Sequence, residues 1–496
     1  MTKNASILLM MLLTIVSNII IAQSKQGNEW ITGRGTQINF LNNTIINKLD
    51  WPQGPWLSYF TSGNSNICDT AGNLILCSDG FNIYDSNGNY IAEGDTLIPQ
   101  YYYTIQNGWS AASQSSIFLP MDSNKYYFVT PTFSDIRYDD CHNNNGNCYF
   151  DLLLYNLIDM NANGGAGKVV KRMEPLMENA ELRKTQMMAC RHSNGKDWWL
   201  LKQGGDSNTI YKFLFKQDTV ENHGFQKFDF PVWGVWDIRG QSTFSTDGSK
   251  YATTSHGGGN TGKIFMADFD RCYGILSNPQ EITLPVGSQQ NPDTNWTEQL
   301  PVGLAYSPNG EILYAISMCN IYQYDLLNGT WFHVAGIDTT YQKFQYYEKA
   351  YLGPDNKLYI GNYGGQSRQM SRIDNPDVKG AGCDFCPRCL RLDSLGIYAA
   401  AGTPPCMPNY SLGAQVCWPL SSTQLAEGSK QLEVYPNPTN SKFQIKSKIP
   451  NSKKELYNSV GQLLLSTVEN EISVSKYSSG VYYIKVENAV KKVVIE

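Results

Sequence analysis

Five stretches of the chain carry residue types that could do chemistry. His256-Gly257-Gly258-Gly259-Asn260 is a glycine-rich loop in which an imidazole could meet a ligand. Asp135, Asp139, Asp140 and His142 bring together the donor types of a metal or sugar site. Asp159-Met160-Asn161-Ala162-Asn163-Gly164 matches the first half of a calcium loop, but position 170 is Val where a bidentate Glu would close it. Cys383, Cys386 and Cys389 have knuckle-like spacing, yet zinc wants four ligands, and disulfides to Cys406 or Cys417 are the better reading in an exported chain. Trp233-Gly234-Val235-Trp236-Asp237 offers two indoles for stacking on sugar rings.

Each stretch has a plainer alternative: a strand connection, a solvated loop, or packing between sheets. The binding candidates are Trp233, Trp236, Asp237 and His256. No catalytic, cofactor-binding or metal-binding residue is assigned. The five His form no His-Glu-x-x-His pattern, and none sits beside a Gly-x-Ser-x-Gly elbow. Glycoside hydrolysis needs two positioned carboxylates, and 44 acidic residues offer too many choices.

These stretches hang on a repeated element: an apolar strand, a tight polar turn, and a second apolar strand. It is clearest at Tyr306-Ser307-Pro308-Asn309-Gly310 before Ile312, and at Phe244-Ser245-Thr246-Asp247-Gly248 before Tyr251. Turns centred near Gly72, Asn124, Gly195, Gly248, Gly310 and Asn356 recur about every 57 residues, a blade-sized period. Asn-Gly and Asp-Gly tolerate positive φ and close two-residue hairpins. The expected fold is all-β: a seven-bladed β-propeller over 23–420, with six blades as the runner-up. Only six turns are visible, so the seventh blade is expected to combine Trp30–Phe40 with a last strand near Gln415–Leu420. A linker over 421–430 leads to a small β-sandwich over 431–496.

The net charge of −5 carries no basic field for nucleic acid. Lys3, the apolar run Ile7–Val16 and Ala22 read as a signal peptide over 1–22, which leaves no transmembrane anchor after cleavage. Twelve Cys in an exported chain imply disulfides. Cys68 and Cys77 flank the first turn and are one candidate pair; Cys141 and Cys148 bracket an Asn-rich loop and are another.

Near the C-terminus stand Val434-Tyr435-Pro436-Asn437-Pro438, then Tyr457-Asn458-Ser459-Val460-Gly461-Gln462, then Ser479-Gly480-Val481-Tyr482-Tyr483-Ile484. On Pro436, Asn437, Pro438, Gly461 and Gly480 this region resembles the C-terminal sorting domain of the type IX secretion system of Bacteroidetes. The resemblance implies recognition by that machinery and a secreted, extracellular or outer-membrane-surface address. The long region before it, with Asn28-Glu29-Trp30-Ile31, Asp79-Gly80-Phe81 and Pro408-Asn409-Tyr410, resembles secreted propellers of the same bacteria, similar to WD-repeat and YVTN types. The expected function is binding of carbohydrate or an extracellular protein, through loops or the central funnel. The alternative is a hydrolase or lyase acting on extracellular polysaccharide.

Overall fold

The computed structural model describes residues 24–33, 36–47, 60, 62–108, 110–122, 124–143, 148–206, 208–228, 240–256, 262–285, 300–337, 346–362, 369–391, 403–415, 417, 432–447, 452–458, 463–486 and 489–495. The chain divides into two compact units, Met1–Gly413 and Ala414–Glu496.

The first unit is a β-propeller. Among the described residues it holds seven antiparallel sheets, taken in chain order. Sheet 1 is Glu29–Thr32, Thr36–Asn39 and Thr44–Asn47; sheet 2 is Ser65–Cys68, Leu74–Ser78 and Ile83–Asp85. Sheet 3 is Ile117–Pro120, Lys125–Thr132, Leu152–Asp159 and Lys168–Met177. Sheet 4 is Leu182–Arg191, Trp198–Gly204, Thr209–Phe215 and Val220–Lys227. Sheet 5 is Ser242–Phe244, Lys250–His256, Gly262–Asp270 and Ile275–Thr283. Sheet 6 is Pro301–Tyr306, Ile312–Ser317, Asn320–Asp325 and Thr330–Gly336. Sheet 7 is Tyr347–Leu352, Leu358–Asn362, Gln369–Ile373 and Phe385–Arg391.

The first strand of each sheet is the inner one. Inner strands lie against each other from sheet 1 to 2, 2 to 3, 4 to 5, 5 to 6 and 6 to 7, and the inner strand of sheet 4 meets the second strand of sheet 3. The ring closes where Trp30 of sheet 1 packs edge-on against Tyr359 of sheet 7, with Met370 and Leu390 around it. The composite blade expected from a last strand near 415–420 falls largely outside the described residues. Among the described residues, sheet 1 is built from the N-terminal hairpins. Gln415 and Cys417 lie outside any strand, and 416 and 418–420 lie outside the described residues.

The turns between the first and second strands of sheets 5 and 6 share one local device. In sheet 5 the Ser245 hydroxyl donates to Asp247 (2.6 Å) and accepts from the Lys250 amide (2.9 Å). In sheet 6 Ser307 does the same with Asn309 (2.7 Å) and the Ile312 amide (3.1 Å). Gly248 and Gly310 follow with φ of 73° each, a conformation that disfavours a side chain. The Ser-x-Asx-Gly spelling therefore encodes the turn, and the alternating apolar residues on either side encode the strands.

The first turn departs from the expected register. Cys68 stands opposite Leu74, and Cys77 opposite Asn66, because a bulge follows Ile67. Cys68 and Cys77 therefore do not face each other, and both remain thiols. Cys141 and Cys148 are joined, with Cα atoms 4.9 Å apart. Cys386 is joined to Cys389 rather than to Cys406 or Cys417, while Cys383 and Cys406 stay buried thiols. Asp159 to Gly164 forms a turn and a short 3-10 segment between the last two strands of sheet 3.

The second unit is a small antiparallel sandwich. One sheet is Leu432–Tyr435, Lys442–Ser447 and Glu471–Ser473; the other is Leu463–Thr467, Lys454–Asn458, Gly480–Val486 and Ala489–Ile495. Phe443, Leu456, Ile472, Val474, Ile484 and Val493 fill the space between them.

Sheets 6 and 7 are also tied at their rims. Buried Asp325 accepts from Lys379 at 2.6 Å and from Asn328 at 2.7 Å. The Lys379 bond and then the Asn328 bond pull its carboxyl down to about 2. A carboxylate depressed below its unfolded value of about 3.9 stabilises the fold above that pH and loses the contribution as pH falls through the folded value. Asp325→Asn is therefore expected to flatten the dependence of unfolding midpoint on pH between about 4 and 2. Urea titrations of both proteins across that window check it; parallel curves would remove Asp325 from the acid response.

Candidate functional site

The expected ligand place is the central funnel. Two sets of the protein's own residues occupy it instead.

At the end where the inner strands of sheets 2 to 7 begin, the axis is crossed by buried polar side chains. Gln114, just before the inner strand of sheet 3, reaches the backbone of Ser242 in sheet 5, donating to its carbonyl (2.8 Å) and accepting from its amide (2.7 Å). Gln241 donates to the Ala350 carbonyl (2.7 Å) and accepts from the Leu304 amide (3.0 Å), so it joins sheets 5, 6 and 7. Gln186 of sheet 4 donates to the Thr254 hydroxyl (3.1 Å). Ser113 donates to Glu348 Oε1 (3.1 Å), across from sheet 3 to sheet 7.

Irregular strands aim these groups. Bulges interrupt the ladders between Leu182 and Met187, between Pro301 and Gly303, and between Tyr347 and Ala350. A bulge turns side chains that would alternate toward a common side. Thus consecutive Glu348 and Lys349 come together, Lys349 Nζ lying 3.7 Å from Glu348 Oε1 and 2.8 Å from the Val302 carbonyl. Gly303 makes the approach possible: a Cβ there would sit 2.3 Å from the Glu348 carbonyl oxygen. In sheet 4 the buried Lys202 ammonium donates to the carbonyls of Arg183 (2.6 Å) and Thr185, bracing the bulge, and burial pushes its pKa well below the usual lysine value. Glu348 is 3 % exposed and its Oε2 has no hydrogen-bond partner. Among the described residues, the bonds that build this layer include one carboxylate, that of Glu348.

The second set is the segment 403–413, which runs along the axis past this layer. The Cys406 amide donates to the Asn64 carbonyl at the beginning of the inner strand of sheet 2 (2.8 Å). Tyr410 sets its ring edge-on to Trp198 and donates to the Phe118 carbonyl (3.0 Å). Asn409 then bonds the Thr246 carbonyl in the turn of sheet 5 (2.8 Å), and Ser411 the Ser24 carbonyl (3.3 Å). Arg271 holds the exit, donating to the carbonyls of Gly413 (2.6 Å) and Arg191 (2.9 Å). Pro404, Pro405 and Pro408 suit such a path, since each removes an amide that the channel would have to satisfy. Burial pushes the Cys406 and Cys190 thiols beside the segment up to about 12. Beside the strap, at the turn-bearing mouth, remains a cavity of about 270 Å³.

The sequence candidates fall elsewhere. Trp233, Trp236 and Asp237 lie outside the described residues, between Lys227 of sheet 4 and Ser242 of sheet 5. His256 is the last residue of its strand, paired through the backbone with Gly262. His256 and the described strand ends Lys227 and Ser242 fall at the end of the ring opposite the Ser-x-Asx-Gly turns. The helices Gln100–Ile105 and Asp135–Asn143 share that end, with Tyr102 packed against Tyr138 at 5.1 Å. Asp135, Asp139, Asp140 and His142 lie on the second helix, where His142 stacks on Tyr138 at 4.0 Å and bonds its carbonyl. Sequence reasoning missed the axial glutamines, because an isolated Gln inside a strand pattern looks like any solvent-facing residue. The prolines of 403–408 were a readable signal of an extended segment.

In the second unit the Pro436-Asn437-Pro438 motif has a definite task. Asn437 acts as a substitute strand: its amide donates to the Lys492 carbonyl (2.7 Å) and accepts from the Val494 amide (2.8 Å). Thr439 continues the pairing with an amide bond to the Val494 carbonyl (2.9 Å). The motif therefore secures the strand Ala489–Ile495. Gly480 opens the neighbouring strand, and Gly461 lies outside the described residues.

Residues 433–496 match the family described as "Secretion system C-terminal sorting domain". The chain ends in a type IX sorting domain. It is therefore secreted, to the cell surface or the extracellular space, and among the described residues no helix is long and apolar enough to cross a membrane. No curated protein matches the chain. Solved structures similar to it include the periplasmic gluconolactonase of Pseudomonas aeruginosa, 12 % identical over 78 % of this chain and 90 % of that one, with a TM-score of 0.37. Another, described as a 6-phosphogluconolactonase from Bacteroides uniformis, is 14 % identical over 77 % and 90 %, at 0.33. A third, the hydrazine synthase of Kuenenia stuttgartiensis, is 11 % identical over 71 % and 96 %, also at 0.33.

Two substitutions test these anchors. Tyr410→Phe removes one buried hydrogen bond and is expected to cost about 1 kcal/mol, whereas Tyr410→Ala also empties the space beside Trp198 and is expected to cost about 4 kcal/mol in urea unfolding. Equal, near-zero effects would show that the segment does not hold the ring. Asn437→Ala is expected to speed amide hydrogen exchange at Val494 severalfold while leaving Ile484 protected. Unchanged exchange at Val494 would contradict the role given to the motif.

Proposed function

We propose that this is a secreted or surface-displayed binding protein, a propeller with one blade per sheet and seven in all, whose ligand is an extracellular carbohydrate taken at the end of the ring opposite the Ser-x-Asx-Gly turns. The observation that carries the reading is the asymmetry of the two ends. At the turn-bearing mouth the chain's own segment 403–413 fills the axis and is bonded to the turn of sheet 5. At the other end lie the strand ends Lys227, Ser242, His256 and Gly262, with the two packed helices. Binding residues concentrate on loops carried by a rigid scaffold, and indoles stack on sugar faces. Trp233 and Trp236 are assigned to that stacking, with Asp237 and His256 supplying polar contacts. Export by the sorting domain delivers such a surface to where polysaccharide is met, and the machinery of that system is the partner of the tail.

A glycan array probed with the full-length protein tests the proposal. Binding of at least one glycan class is expected, with the Trp233→Ala, Trp236→Ala double variant about tenfold weaker or worse. Retention of full affinity by that variant would remove the indoles from the site. Capture of an extracellular protein with no glycan binding would replace the ligand class, and turnover of a polysaccharide would overturn the binding reading altogether.

A further inference from the structure

The sorting domain has two outer faces, and they differ in kind. On the sheet Leu432–Tyr435, Lys442–Ser447 and Glu471–Ser473 the outward side chains pair with one another. Glu433 lies 3.3 Å from Lys446, and Lys442 lies 3.0 Å from Glu471. Gln444 donates to Glu471 and accepts from Tyr435, both at 3.3 Å. This face is polar and closed on itself, and exposed pairs of this kind contribute little.

The outer face of the other sheet is built differently. Strand alternation sends Leu456, Tyr482, Ile484, Val486 and Val493 into the sandwich, so their neighbours in sequence face out. Pairing sets those neighbours in rows: Tyr457 beside Tyr483 beside Lys492, Val481 beside Val494, and Glu455 beside Lys485. Tyr457, Val481, Tyr483 and Val494 are each part-exposed and form one apolar patch, with Lys485 and Lys492 flanking it. Glu455 is engaged, accepting from the Tyr457 hydroxyl (2.9 Å) and lying 2.6 Å from Lys453. Residues 431–496 carry nine Lys, six Glu and no Asp or Arg, a positive balance in a chain whose net charge is −5.

The Pro436-Asn437-Pro438 motif bears on this face. Asn437 bonds the backbone of Lys492 and Val494, two of the residues that form it. Both ends of the Asn437 amide are used on that strand, so contact with a partner falls to the residues the strand presents.

We propose that this face is the surface by which the tail docks on the export machinery, with Tyr457, Val481, Tyr483 and Val494 at its centre and Lys485 and Lys492 at its margin. The inference rests on the sorting role of the tail. The receiving surface then has an apolar centre and an acidic margin. Aromatic residues are enriched at interface cores and charged ones belong to the rim, where they set the rate of approach.

Export of the full-length chain from a bacterium with a type IX system tests the proposal, read as the ratio of protein outside the cell to protein held in the periplasm. The triple variant Val481→Thr, Tyr483→Thr, Val494→Thr keeps strand-forming residues and removes the patch. It is expected to lower the ratio at least tenfold, with hydrogen exchange at Ile484 staying slow. Lys485→Glu with Lys492→Glu is expected to lower the ratio at least threefold. Glu433→Ala with Lys446→Ala, on the polar face, is expected to be exported like the native chain. Native export of the triple variant, or the same loss from the polar-face variant, would overturn the proposal. Where the triple variant loses protection at Ile484, the charge-reversed pair decides, and its native export would overturn the proposal. Export of a chain lacking 431–496 would remove the sorting role itself, a different failure from that of the face.

Discussion

The ring depends on the passage of residues 403–413 through its own axis. A propeller must solve the problem of its first and last sheets, whose edges would otherwise part. Here no strand is exchanged between the ends of the chain among the described residues. The last stretch of the unit instead enters the channel and bonds to sheet 2 through Asn64, to sheet 3 through Phe118, to sheet 5 through Thr246, and to the N-terminal Ser24. Together with the aromatic contact of Trp30 on Tyr359, this fastens the two ends without a shared sheet. The same passage decides where a ligand can go, because it removes the open funnel that a propeller usually offers.

The glutamine layer is the counterpart of the strap. Inner strands of neighbouring sheets diverge at a channel end, and their backbone amides there have no ladder partner. Gln114 and Gln241 each present a donor and an acceptor, so one side chain satisfies both groups of a facing backbone. Fully bonded, such a network is rigid; the unpartnered Glu348 oxygen is its one costly member among the carboxylates described. Gly303 shows how tight the tolerance is, since its missing Cβ is what lets sheet 6 approach the Glu348 backbone.

Much of the fold was legible in the sequence because its signals are local. Tight polar turns, spelled Ser-x-Asx-Gly in sheets 5 and 6, and alternating apolar residues act within ten residues of each other, so the hairpins of sheets 2 to 7 stand where the turns put them. The tail was legible for the same reason: Pro436, Asn437 and Pro438 form a compact motif. The axial site was not legible. Gln114 and Ser242, Ser113 and Glu348, or Phe118 and Tyr410 are brought together only by ring closure, and none of their side-chain types is unusual for a strand. The Cys68–Cys77 pair failed on a subtler point. Equal distance from a turn places two residues opposite each other only if no bulge intervenes, and one residue of slip sends a side chain to the other face.

The distribution of cysteines follows from the same geometry. The pairs Cys141–Cys148 and Cys386–Cys389 are close in sequence; the first joins the last turn of the helix Asp135–Asn143 to the residue Cys148, and the second lies within the outer strand of sheet 7. The thiols Cys68, Cys190, Cys383 and Cys406 are locked in the interior, held apart by strands whose positions are fixed by packing. Burial raises Cys190 and Cys406 to about 12, which leaves almost no thiolate to attack a disulfide at neutral pH. An exported protein can therefore carry interior thiols into an oxidising space without mispairing, provided the strap stays in the channel and keeps Cys406 dry. The segment that closes the ring thus also protects its chemistry.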